Sequence, residues 1–138
     1  MALEDSFSAY AERLARRFHE RQLEDALEQI GLLIHEDAEM TLVVNGLKPL
    51  CGREVIVTSL SGVRESMIYS AEVKSCEWLD EDTLLLRGNA RYSVGDRGLS
   101  HSTIWWLDKF REGLLFQVRA FQTEPEARTA HQAPPPAG

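Results

Sequence analysis

The chain has 138 residues, of which 43% are hydrophobic and 27% charged, with a formal net charge of −7 at pH 7. That length fits one folded domain burying about two-thirds of the surface its unfolded chain exposes, so no disulfide or metal is needed to hold it. Residues 1–40 carry 10 acidic and 4 basic side chains and residues 41–138 carry 12 and 11, so there is no basic run to bind a phosphate backbone and nucleic acid is excluded as a partner.

No stretch approaches the roughly 20 apolar residues that span a bilayer, and Met1-Ala2-Leu3-Glu4-Asp5 places acids where a secretory signal carries bases. Cys51 and Cys76 lie outside any Cys-x-x-Cys context, and His19, His35, His101 and His131 lack zinc spacing. These features predict a cytoplasmic protein with two free thiols, no metal, no cofactor and no membrane partner.

Leu3, Phe7, Tyr10, Leu14 and Phe18 recur at helical spacing, and a second amphipathic run follows through Leu23, Ala26, Leu27, Ile30, Leu33 and Ile34. Two packed helices, or one kinked helix, fill residues 4–34. The His35-Glu36-Asp37-Ala38-Glu39 segment reads as a helix end, and it lacks the second histidine a metal motif requires. A strand over Met40–Val44 ends at the turn signal Asn45-Gly46. From Gly52-Arg53-Glu54 to about Ser66 the chain reads as a helix in spite of the β-branched Val55, Ile56, Val57 and Thr58.

The remainder reads as an antiparallel meander with strands near 67–79, 82–94, 99–110 and 114–123, turning at Asp80-Glu81-Asp82, Gly95-Asp96-Arg97-Gly98 and Glu112-Gly113. Residues 1–123 form the domain, and the proline-rich residues 124–138 are expected to be a disordered tail.

A tight turn fixes the register of its hairpin. Centred on Glu112-Gly113, Trp105 pairs with Ala120, Leu107 with Val118 and Thr103 with Gln122. Centred on Gly95–Gly98, Trp105 pairs with Gly88, Leu107 with Leu86, Thr103 with Ala90 and His101 with Tyr92. An indole between glycine and alanine suits a curved inner face. The opposite face then holds Leu85, Arg87, Ile104, Trp106, Arg119 and Phe121, an apolar patch edged by arginine that predicts a homodimer through the convex side of the sheet.

Helices first, then a strand and turn, then Gly52-Arg53-Glu54, then a meander ending in Asp108-Lys109-Phe110-Arg111-Glu112-Gly113 and Val118-Arg119-Ala120-Phe121: this order resembles the nuclear transport factor 2-like superfamily, and more narrowly SnoaL-like proteins. The resemblance covers about residues 8–123. It implies an α+β fold of the cystatin-like cone type, with N-terminal helices packed in the concave face of a curved, mixed, mostly antiparallel sheet, a pocket between them, and frequent dimerisation. The ketosteroid isomerases of the superfamily need a carboxylate base, a tyrosine and an acid; the resemblance puts Leu42, Phe18 (or Arg17) and Trp105 at those positions, and none can perform the chemistry.

The expected pocket is lined by Phe18, Met40, Leu42, Tyr69, Leu86 and Trp105, with Tyr92, His101, Thr103 and Gln122 as polar members toward one end. His101 beside Tyr92 is the one pair considered for proton transfer, though no carboxylate is placed to orient the imidazole. The reading is a dimeric protein binding a small hydrophobic ligand, without a recognisable catalytic set. The alternative is a SnoaL-like enzyme, a cyclase, isomerase or lyase, with His101 as acid/base.

Overall fold

The computed structural model describes residues 3–42, 48–64, 66–94 and 99–132. Its elements are α1 (Leu3–Arg21), α2 (Leu27–Gly31), β1 (Ile34–Thr41), β2 (Pro49–Cys51), α3 (Arg53–Val63), β3 (Met67–Trp78), β4 (Thr83–Val94), β5 (Ser100–Arg111), β6 (Leu114–Phe121) and α4 (Glu124–Gln132). The strands form one open sheet in the order β2-β1-β6-β5-β4-β3. Only β1 against β6 is parallel among these pairings, so the sheet is mixed and mostly antiparallel, as expected. No helix among the described residues is long and apolar enough to cross a membrane.

Helix α1 buries Ala11, Leu14, Ala15 and Phe18, then His19 and, just past its end, Gln22. Ala11 takes the position on this stripe assigned to Tyr10, which is 46% exposed; two alanines let the helix approach the sheet closely. Helix α3 forms despite its β-branched residues because Ile56 and Leu60 are fully buried, and tertiary burial outweighs a propensity difference of under about 1 kcal/mol per residue. It opens at Gly52, whose φ of 96° favours glycine and whose N–H donates to Ala38 O at 2.7 Å.

Strand β1 starts at Ile34, so His35-Glu36-Asp37-Ala38 is strand rather than helix end. The parallel neighbour β6 supplies its partners, with Leu115 N–H donating to Leu33 O at 3.0 Å at the strand's start. The Asn45-Gly46 and Gly95–Gly98 turns and residues 133–138 lie outside the described residues.

The meander strands lie where expected, but β5 is turned over. Observed partners are Arg87↔Trp105, Leu86↔Trp106 and Asn89↔Thr103 on one side, and Trp105↔Phe121, Trp106↔Ala120 and Asp108↔Val118 on the other. The third hairpin does turn at Glu112-Gly113, both at positive φ as a two-residue type I′ turn requires. An irregularity between Lys109 and Phe110 then advances the pairing by one residue. In the second hairpin the pairing Tyr92↔Ser100 centres one half-position earlier than His101↔Tyr92 would. Since side chains alternate, each one-residue slip exchanges the faces of β5 while β4 and β6 keep theirs.

Helix α4 corrects the expectation of a disordered tail for residues 124–132. Its Ala127 is fully buried with Leu85 and Leu107 in a second apolar cluster, joined by Leu79, Trp105, Phe121 and Ala130. Thr123 caps it, accepting from Glu126 N–H at 3.3 Å and donating to the Glu126 carboxylate at 2.9 Å. Arg128 bonds Glu124 and Glu77, and His131 contacts Asp80 at 2.7 Å. The segment reads as too polar to pack because a single alanine stripe suffices when the sheet supplies the apolar partner.

Candidate functional site

The main core lies between α1, α3 and the inner face of the sheet. In it, Phe18, Met40, Leu42 and Leu86 are at most 2% exposed and Tyr69 is 9% exposed. Tyr92 is half-buried against the same cluster. These six residues share the face assigned to them, and they pack against one another as core. Burial alone pushes the Tyr69 phenol far above its usual range, so it stays protonated.

The other expected pocket residues are elsewhere. His101 and Thr103 are exposed on the outer face, Trp105 lies under α4, and Gln122 is exposed beyond the end of β6. His101 therefore faces Arg91 across the ladder, and Tyr92 faces Ser100, so the proposed proton-transfer pair is not assembled. His101 instead lines a polar groove of about 570 Å³ with Glu20, Glu24, Glu72, Asn89 and Arg91. Of the expected dimer residues, Leu85, Arg87, Arg119 and Phe121 are on the outer face, whereas Ile104 and Trp106 belong to the inner core. Both misplacements follow from the turned strand.

What β5 turns inward is a buried acid–imidazole pair. His19 Nε2 is 2.7 Å from Asp108 Oδ2, and neither side chain has measurable exposure. Trp106 stacks on the His19 ring at a centroid distance of 4.4 Å and an interplanar angle of 22°, and Phe18 meets it edge-on at 5.4 Å. The indole fits because Gly88 has no side chain: a Cβ there would lie 2.7 Å from the Trp106 ring. The tryptophan set between small neighbours is thus Trp106, with Gly88 on one side and Ala120 opposite it on the other, rather than Trp105.

Two atoms of this pair, His19 Nδ1 and Asp108 Oδ1, are buried without a hydrogen-bond partner. A buried polar group left unpaired costs about 1–3 kcal/mol, so such a pair in a packed interior calls for a physical account. Burial raises the Asp108 pKa above the usual carboxylate range, and the contact with His19 opposes that shift. Full burial of both side chains favours the pair with zero net charge. In that state Nδ1 carries a proton whichever partner holds the proton between Nε2 and Oδ2. The site then presents one N–H donor and one carbonyl-type acceptor.

Sequence reasoning missed both members, and both carry a signal. His19 and Gln22 extend the buried stripe Ala11, Leu14, Ala15, Phe18 at helical spacing, and Asp108 continues the alternation Ile104, Trp106, Phe110. Cys76 is not a competing nucleophile. Burial and the hydrogen bond to Glu12, at 2.9 Å, push its thiol up to about 11, leaving little thiolate at neutral pH.

No family profile and no curated protein matches the chain. Solved structures do. An LEH-like epoxide hydrolase from M. tuberculosis superposes with a TM-score of 0.71 at 12% identity, covering 88% of each chain. A protein described as a SnoaL-like polyketide cyclase from Jannaschia superposes at 0.68 and 12% identity, over 92% of this chain and 94% of that one. A nuclear transport factor 2-like protein of unknown function from Cytophaga hutchinsonii gives 0.63 at 8% identity, over 83% and 96%. At these identities the likeness establishes architecture alone: the chain has the α+β cone fold shared by nuclear transport factor 2-like and SnoaL-like proteins.

Proposed function

We propose that the protein binds a compact hydrophobic molecule bearing one hydrogen-bonding group, held in the cone interior at His19–Asp108, and that two copies associate through the outer sheet face. The observation carrying the ligand site is the pair of buried, unpartnered atoms His19 Nδ1 and Asp108 Oδ1. A hydroxyl or carbonyl reaching them satisfies donor, acceptor or both, removing the cost of leaving these buried atoms unpaired. Phe18 and Trp106, which pack on the His19 ring, supply apolar contact. Similar structures described as an epoxide hydrolase and a polyketide cyclase agree with a small-molecule role.

A second reading, acid/base catalysis, is favoured by the carboxylate on the imidazole, the partner that His101 lacks. The proton on Nδ1 would pass to a ligand oxygen while the shared proton settles on Nε2. Asp108 is then left ionised beside a neutral imidazole, and the reverse transfer restores the pair.

Native mass spectrometry of gently purified protein, followed by thermal-shift screening of small carbonyl and hydroxyl compounds, tests the binding reading. The expected result is a bound small molecule whose affinity drops at least tenfold in Asp108→Asn and is unchanged in His101→Ala. Equal affinity in wild type and Asp108→Asn, or no ligand in either assay, would sink it. Turnover lost in His19→Gln with affinity retained would select the enzyme.

A further inference from the structure

The register places one row across four strands on the outer face: Glu77 of β3, Leu85 of β4, Leu107 of β5 and Arg119 of β6. An acid stands at one end, a base at the other, and two leucines lie between. With strands about 4.8 Å apart, the charges are about 14 Å apart along the sheet. A two-fold axis through the middle of the row lays each Glu77 against the Arg119 of a second copy and leucine against leucine. That is the self-complementarity an isologous interface requires.

In the single chain α4 occupies this place. Ala127 packs on Leu85 and Leu107, and Arg128 donates to the Glu77 carboxylate at 2.8 and 3.3 Å, where the second copy's base would stand. Among the described residues Arg119 receives no counterpart, and its Nε is buried with no acceptor. The helix therefore satisfies one end of the row and the apolar middle, and leaves the basic end unpaired. Gln122 and Thr123 connect β6 to α4, and neither they nor the helix take part in the strand pairings, so lifting α4 leaves those pairings in place.

We propose that α4 is a cover held in cis over a homodimer face, displaced when a second copy of this chain binds, with Glu77 exchanging Arg128 for the other copy's Arg119. This inference rests on the dimer reading above.

Sedimentation velocity of the full chain over a range of concentrations, wild type against Ala127→Glu, tests it, with amide hydrogen exchange in residues 124–132 reporting whether α4 has lifted. Ala127 is wholly buried, so a carboxylate there expels the helix and leaves the four-residue row intact. Ala127→Glu is expected to exchange faster in α4 and to dimerise at least tenfold more tightly. Adding Arg119→Glu is expected to abolish that dimer, and adding Glu77→Arg as well to restore it. Equally tight dimers of wild type and Ala127→Glu would overturn the cover while leaving the dimer standing. A lifted helix on a chain that stays monomeric would overturn both. Should Ala127→Glu not fold, Arg128→Glu removes the latch instead, and a helix that neither variant lifts also refutes the proposal.

Discussion

Gly88 shows how one missing side chain sets the interior. Its position on β4 is diagonal to Trp106, and a Cβ would meet both that ring and the Glu72 carbonyl oxygen. The Glu72 oxygen is the nearer of the two and belongs to the β3–β4 ladder, so both that backbone and the indole would have to give. Trp106 is held in turn by the His19 ring stacked on it. Overpacking of this kind costs about 1–3 kcal/mol. Gly88→Ala is therefore expected to lose that amount of unfolding free energy, read as a lower midpoint of urea denaturation, and to shift the emission of the buried tryptophan. An unchanged midpoint would show that Trp106 is not seated as described.

Among the elements, β5 decides which residues are core and which are surface. Ile104 and Trp106 face the main core, and Thr103 and Trp105 face outward. Two neighbouring substitutions separate the faces. Ile104→Ala is expected to cost about 2–4 kcal/mol, since it empties core volume, whereas Thr103→Ala should stay within about 0.5 kcal/mol at an exposed position. The opposite ranking, measured by chemical denaturation, would restore the register read from the turns.

The meander strands, helix α3 and the Glu112-Gly113 turn were legible because alternation and turn chemistry are local signals, whereas β1 begins six residues before the expected Met40 and β2 carries no such signal. The slip at Lys109–Phe110 was not, because a bulge depends on partners rather than on residue type. Helix α4 was hidden for a related reason: its apolar stripe is Ala127 and Ala130, residues that score as weakly hydrophobic until Leu85, Leu107 and Phe121 are set opposite them. The site was lost with the register, since an aspartate near a turn reads as solvated until its strand is known to face inward.

At the scale of the molecule, the ionisable groups divide into two sets with opposite effects on stability. Arg17 and Arg21 hold Asp25 below the usual carboxylate range, and Arg128 does the same for Glu77. For Asp80, burial pushes upward but hydrogen bonds from His131, Asp82 and Thr83 outweigh it. Each of these groups has a lower pKa folded than unfolded, so its contribution is present above the usual carboxylate range near pH 4 and is lost as pH falls through the folded value.

Asp108 runs the other way. Burial raises its folded pKa, so the native state binds a proton that the unfolded chain has released. Its favourable contribution is complete below about pH 4 and is lost as pH rises through the raised folded value. Asp108→Asn removes this limb and leaves the Asp25, Glu77 and Asp80 limb intact. Urea midpoints of the two proteins from pH 4 to 8 are therefore expected to converge or cross in the variant's favour as pH rises, while both lose stability below pH 4. A difference that is flat with pH would mean Asp108 titrates normally and the pair has no raised carboxyl. A difference of the expected sign would show that the cone interior carries an acid at a stability cost, as a site for binding or proton transfer does and a plain core does not.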